Sequence, residues 1–189
     1  MIPLPPGPAA PPPAPVSARS APPSAAERLR AYRLFLFVAG IILVLDQATK
    51  AWIYSRFPFP TYGHPGHLSV IDGFFNIVHV GNTGAAWSLF TGRSPLLALL
   101  ALITLLVIFL YRHRLGLRQL PVQVAFGLLC GGIVGNLIDR IVHGHVIDFI
   151  DLHFGSYIYP TFNVADSGIC MGVACYLIYS LRHPEPPQS

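Results

Sequence analysis

Charge is in short supply. Only 11% of the 189 residues are charged, and only eight of those are acidic. A soluble domain carries about a quarter charged residues, so this shortage excludes a disordered acidic chain and argues against a soluble globular enzyme. Twelve Lys and Arg leave a formal net charge of +4. They sit between apolar stretches rather than in one patch, so no nucleic acid partner is expected. Cysteine is equally sparse. Three residues, Cys130, Cys170 and Cys175, are an odd number, which excludes a complete disulfide framework. All three lie in apolar stretches, where a thiol behaves as a small hydrophobe. No Gly-x-Ser-x-Gly nucleophile elbow is present. What is abundant is apolar: 53% of the chain is hydrophobic, the composition of an integral membrane protein.

Residues 1–30 hold ten of the 19 prolines and seven alanines. Proline lacks a backbone donor and clashes with helix, so this segment is expected to be a disordered cytoplasmic tail rather than a cleaved signal peptide. Four apolar spans follow within a membrane domain expected over 31–182, and 183–189 form a second short tail. The first span runs from about Arg33 to Ile53 and contains twelve apolar residues in a row, Leu34 to Leu45, before Asp46, Gln47, Thr49 and Lys50. About twenty residues, at about 1.5 Å each, cross a ~30 Å hydrocarbon core, which puts this polar group toward the far end of the helix. The second span, Pro95 to Tyr111, carries no charge and reads as a lipid-facing packing helix. The third, Pro121 to Val142, contains Gly127, Gly131, Gly132 and Gly135, small residues that let membrane helices approach closely, and ends with Asn136, Asp139 and Arg140. The fourth, Asn163 to Leu181, opens with Asp166 and Ser167.

Eight of the twelve basic residues flank the spans on one side: Arg19, Arg28, Arg30, Arg33, Arg112, Arg114, Arg118 and Arg182. The positive-inside rule makes that side cytoplasmic. The expected architecture is an all-α membrane protein with four transmembrane helices and both termini cytoplasmic. A small extracytoplasmic β element is expected between the first and second spans, because Phe74–Val80 has strand propensity and Gly81–Gly84 reads as a turn. Trp52, Tyr54, Phe57, Phe59 and Tyr62 suit an interfacial aromatic belt.

The acidic residues fall on the opposite side. Asp46, Asp72, Asp139, Asp148, Asp151 and Asp166 all lie in the outer half or outside, and an ionisable group within a membrane is a functional signal by default. Metal chemistry is poorly supported: His143, His145, Asp148 and His153 are not spaced as the i, i+4 pair of a metallopeptidase helix. Serine chemistry fares no better, since Asp166 and Ser167 are adjacent and do not face each other on a helix. Lys50 follows Asp46 by four residues, the spacing of an internal pair on one helix face. A pair of carboxyls remains. Asp148 lies just outside the third span and Asp166 opens the fourth, and two close carboxyls in a low dielectric hold a proton between them. Such a pair hydrolyses a peptide bond without a metal. Periodicity does not choose among Asp139, Asp148, Asp151 and Asp166. Asp151 reads as a solvated surface charge.

Five blocks in order resemble the lipoprotein signal peptidases, the type II signal peptidases of bacteria. They are Asp46-Gln47-Ala48-Thr49-Lys50, Asn82-Thr83-Gly84-Ala85-Ala86, Gly135-Asn136-Leu137-Ile138-Asp139-Arg140, Val146-Ile147-Asp148-Phe149 and Phe162-Asn163-Val164-Ala165-Asp166-Ser167. The resemblance covers about residues 34–182. It implies a cofactor-free aspartic endopeptidase of the bacterial inner membrane, multi-pass, with its active site facing the periplasm. Its substrates would be diacylglyceryl-modified prolipoproteins, met within the membrane lipid and cut just before the lipidated cysteine. The motif positions imply Asp148 and Asp166 as the catalytic pair, with Asp46, Lys50, Asn82, Gly84, Asn136, Asp139, Arg140 and Asn163 as substrate-binding or supporting residues. Trp87 stands where a phenylalanine is common. Three other readings make distinct demands. A proton-coupled transporter relaying through Asp46 and Asp139 needs polar groups through the full bilayer depth, which the second span does not supply. A non-enzymatic assembly factor tolerates loss of both carboxyls, and a zinc peptidase is stopped by a chelator.

Overall fold

The computed structural model describes residues 25–62, 66–84 and 89–183. The proline-rich segment 1–24, the motif residues Ala85 and Ala86, Trp87 and the terminal residues 184–189 lie outside them. In chain order the elements are α1 (Ala25–Ala31), α2 (Arg33–Arg56), β1 (Leu68–Ile71), β2 (Phe75–Asn82), α3 (Ser94–Tyr111), α4 (Leu120–Val142), β3 (Val146–Phe154), β4 (Tyr157–Ile158) and α5 (Val164–Arg182). Helices α2, α3, α4 and α5 are long and apolar enough to cross a membrane. Their bounds fall within three residues of the apolar runs. The helix α1 begins inside the segment expected to be tail: its Ala, Leu, Arg and Glu are good helix formers, and Glu27 suits the positive end of the helix dipole.

Helix α4 is the hub. It carries twelve buried residues against four on α2, two on α3 and three on α5. Its glycines are why its neighbours come so close: a methyl group on Gly131 would stand 2.7 Å from the Ala39 carbonyl oxygen of α2. One on Gly172 of α5 would stand 2.6 Å from the Ala125 carbonyl of α4. In lipid, where no hydrophobic effect draws helices together, such close backbone approach supplies the packing attraction. Helix α3 packs through Leu105 and Ile108 against Val122, Phe126 and Cys130 near the start of α4.

The two ends of the bundle differ. At one end Gln123 of α4 ties segments together: its Nε2 donates to Ala31 O at 2.9 Å and its Oε1 accepts from Phe35 N at 3.1 Å. The first turn of α2 has no side-chain cap of its own, so this glutamine satisfies one donor that a helix start leaves open, Phe35 N, and one carbonyl before it, Ala31 O. At the other end lie Asp46, Lys50, Asn136, Asp139 and Asn163, all buried.

A four-stranded antiparallel sheet, in the order β1-β2-β3-β4, sits at this second end. The β element expected between the first and second spans is therefore only half of it, since β3 and β4 come from the connection between α4 and α5. The reason is pairing: β2 would otherwise expose a backbone edge, and Val146–Leu152, rich in β-branched and aromatic residues, fills it. Ile53 of α2 packs under Ile147 and Phe149 of β3 and fixes the sheet to the bundle. The β2–β3 register slips between Ile77 and Val80, and beyond the slip Asn82 and Asp148 lie on neighbouring strands.

Candidate active site

Asp148 and Asp166 reach the same place from different elements. Asp148 is on β3, 2% exposed, in the stretch where a helix would have set it beside Asp151. Its Oδ2 accepts from Asn82 Nδ2 at 3.0 Å and its Oδ1 from Asn163 Nδ2 at 2.7 Å. Asp166 is the third residue of α5. Asn163 caps that helix: its Oδ1 accepts from Asp166 N at 2.9 Å, and Asp166 Oδ2 accepts from Asn163 N at 3.2 Å. This reciprocal capping box is a local necessity of the helix start, and here it also holds a carboxyl in place. Asn163, fully buried, thus binds both carboxyls, one through its side-chain amide and the other through its backbone.

Burial pushes the Asp148 carboxyl up from its ordinary 3.8 to about 7, and the negative charge of Asp166 adds to the rise. The hydrogen bonds from Asn82 and Asn163 and the charge of Lys50 oppose it.

Behind the pair lies a buried charge cluster. Lys50 Nζ is 2.9 Å from Asp46 Oδ2, 2.9 Å from Asp139 Oδ2 and 2.9 Å from Asn136 Oδ1. The i, i+4 pair read from the sequence is present, and Asp139 completes it from α4. Both carboxylates also brace backbone: Asp46 Oδ1 accepts from Ala165 N at 2.9 Å, and Asp139 Oδ2 from Ile147 N at 3.0 Å. Those residues directly precede Asp166 and Asp148. Asn136 Nδ2 donates to Asp166 Oδ1 at 2.8 Å.

The remaining candidates close the circuit. Asn82 Oδ1 accepts from Gly84 N at 2.9 Å, and Gly84 O accepts from Arg140 Nη2 at 3.0 Å. A methyl group on Gly84 would stand 2.6 Å from the Leu89 carbonyl, so only glycine fits. The Arg140 Nε is buried with no partner, which leaves that guanidinium a donor to offer. All ten residues singled out in the sequence therefore stand in one hydrogen-bonded network.

One expectation needs correction. Asp151 is not a solvated charge: it is 3% exposed, with Oδ2 at 2.7 Å from His153 Nε2 and at 3.3 Å from Asn76 Nδ2. On a strand, residues three apart face opposite sides, so Asp151 turns away from Asp148. His143 and His145 stack on Tyr54 and Phe59 and do not converge with Asp148. Ser167 Oγ donates to Asn163 O at 3.1 Å. Gln47 received no role from the sequence. Its Nε2 lies 3.1 Å from Asp46 Oδ2 and 3.2 Å from Asp139 Oδ1, stapling the two carboxylates that hold Lys50. Its place between Asp46 and Lys50 in the first block was the available signal.

A family model described as signal peptidase (SPase) II matches residues 38–182. A lipoprotein signal peptidase of Syntrophus aciditrophicus is 41% identical over 162 residues, covering 82% of this chain and 96% of that protein. One of Thermosynechococcus vestitus is 42% identical over 155 residues, covering 80% and 93%. Among solved structures, one described as a bacterial membrane enzyme at 2.3 Å resolution superposes with a TM-score of 0.70 at 30% identity. That similarity covers 82% of this chain and 94% of that one.

Proposed function

As a member of the signal peptidase II family, this multi-pass bacterial membrane protein is a protease that removes signal peptides from prolipoproteins, and we propose that it cuts as an aspartic endopeptidase through Asp148 and Asp166. The observation that carries the proposal is Asn163 binding both carboxyls at the end of the bundle where helices meet sheet. One carboxylate takes a proton from water as the water oxygen attacks the scissile carbonyl carbon. The other, protonated, gives its proton to the carbonyl oxygen. Collapse of the tetrahedral species breaks the C–N bond: the leaving amine takes the proton that the first carboxyl had accepted, and the second carboxylate takes back a hydroxyl proton as the C=O bond reforms, which restores the starting pair. No metal is called for in this cycle.

The other residues prepare that step. Lys50, Asp46, Asp139, Asn136 and Asn163 hold the pair, and Asn82, Gly84 and Arg140 face the substrate backbone. Substrate specificity follows from depth. A diacylglyceryl group on the cysteine keeps the scissile bond near the membrane surface, at the level of the network. The half-exposed apolar faces of α2 and α3 suit a signal helix and acyl chains entering sideways from the lipid. The distribution of basic residues favours a cytoplasmic location for the opposite end of the bundle and both termini, and so supports a site on the periplasmic side of the inner membrane.

The test is cleavage of a diacylglyceryl-modified prolipoprotein by purified protein with a chelator present, beside Asp148→Asn and Asp166→Asn variants shown to fold. The expected result is full activity in chelator and a loss of about 10³-fold or more in each variant. Full activity in either folded variant removes that residue from the pair, and loss of activity in chelator overturns the metal-free mechanism.

A further inference from the structure

We propose that the end of the bundle opposite the carboxyl network binds an anionic phospholipid, with its phosphate held by Arg112, Arg114 and Arg118. Three segments distant in sequence meet there. Gln123 Nε2 donates to both Ala31 O and Arg118 O, joining the start of α2 to the α3–α4 connection. Tyr179 of α5 bonds Gln119, bringing in the end of the last helix. Within 25–36, 111–123 and 178–183 the sole acidic residue is Glu27. No ion pair among the described residues involves Arg112, Arg114 or Arg118.

The connection is built to hold these charges in place. Leu117 is 4% exposed and plugs the apolar cluster beneath. Turn hydrogen bonds run from Leu115 N to Tyr111 O at 2.9 Å, from Leu117 N to Arg112 O at 3.1 Å and from Gln119 N to Gly116 O at 2.9 Å. Arg112 Nη1 donates to Phe109 O at 2.7 Å, and its guanidinium lies 4.5 Å from the centre of the Phe109 ring. Arg114 lies 6.0 Å from that of Tyr111. The heads of Arg112 and Arg114 therefore stand at the last turn of a membrane span, a level that suits lipid phosphate, and the exposed Arg118 follows on the same connection. From there the exposed side chains Leu106, Val107, Phe109 and Leu110 run down α3 as a surface for acyl chains. Positive charge over an apolar stripe fits a molecule with one anionic head and hydrocarbon tails. Guanidinium forks match phosphate oxygens better than a point charge does.

The experiment uses the full chain in micelles of a zwitterionic detergent, offered equal amounts of phosphatidylglycerol and phosphatidylcholine. Retained lipid is counted by native mass spectrometry. The expected result is retention of phosphatidylglycerol over phosphatidylcholine by roughly tenfold or more, falling as salt is raised. An R112Q/R114Q/R118Q variant brings the ratio close to one while prolipoprotein cleavage is kept. If that variant does not fold, R114Q/R118Q, at two exposed side chains, still lowers the ratio. Equal retention of the two lipids by the unmutated chain overturns the proposal, as does an unchanged ratio in the variants. Displacement of the lipid by inorganic phosphate at a matching concentration also overturns it, since the site would then be one for free phosphate.

Discussion

The Lys50 ammonium lies 2.9 Å from Asn136 Oδ1 and so decides which end of that amide meets Asp166. An ammonium only donates, so the amide oxygen must face Lys50. The NH₂ group then points the other way and donates to Asp166 Oδ1 at 2.8 Å. A cation that touches neither carboxyl of the proposed pair thereby sets the hydrogen bonding of one of them.

Two substitutions separate holding the fold from tuning the site. Lys50→Met strands Asp46 and Asp139, both buried, without their cation. Breaking a buried pair in this way costs about 3–5 kcal/mol, so thermal unfolding in detergent is expected to show a large loss. Asn136→Asp keeps an acceptor for Lys50, whose ammonium offsets part of the added charge, but replaces the donor to Asp166 with an oxygen. Cleavage is expected to fall roughly tenfold to hundredfold, the worth of at least one lost buried hydrogen bond, with a smaller loss of melting temperature than in Lys50→Met. Equal effects of the two substitutions on melting would contradict this division.

Activity is expected to depend on pH through Asp148. Its carboxyl, pushed up to about 7 from 3.8, binds more protons in the folded chain than in the unfolded one between those values. Its contribution to stability is therefore full below about pH 4, is lost as pH rises to about 7, and is level above. A pair that needs one shared proton should lose kcat/KM through a basic limb near pH 7. Asn82 donates to the charged form of Asp148, so Asn82→Ala is expected to move that limb to higher pH. The pH profile of kcat/KM for the two proteins checks this, and a limb that stays put or moves lower would contradict it.

Asp151 supplies the contrast. It is as buried as Asp148 and only three residues away, but its partners are His153 and Asn76. It shares none with the carboxyl network, and sites without shared partners act independently. Asp151→Asn is expected to leave kcat/KM within about twofold while lowering the melting temperature. A collapse of cleavage in a folded Asp151→Asn protein would place this residue in the reaction.

The spans could be read from the sequence because they are local: Leu34 to Leu45 needs no partner to declare a membrane helix. Asp46 and Lys50 were likewise readable as a pair, being one helical turn apart. The second half of the sheet was not. β3 pairs with β2 across more than sixty residues, Asn82 with Val146 for instance. Phe149-Ile150 breaks the simple alternation of a strand where the register slips. Asp151 misled because an isolated aspartate is usually solvated, and its burial depends on Asn76 from another strand. The role of Gln47 is not legible locally, because it exists only when Asp139, ninety-two residues away, is brought against it.

The most direct test of a shared catalytic pair is a double-mutant cycle on Asp148 and Asp166. Single-turnover cleavage of a diacylglyceryl-modified prolipoprotein is measured for Asp148→Asn, Asp166→Asn and the double variant, each matched for folding. Residues that act as a unit are strongly non-additive. Each single variant is expected to lose about 10³-fold or more, and the double variant to lose no more than the worse single one. A double variant whose loss equals the product of the two single losses would mean that the carboxyls act independently, and would contradict the pair.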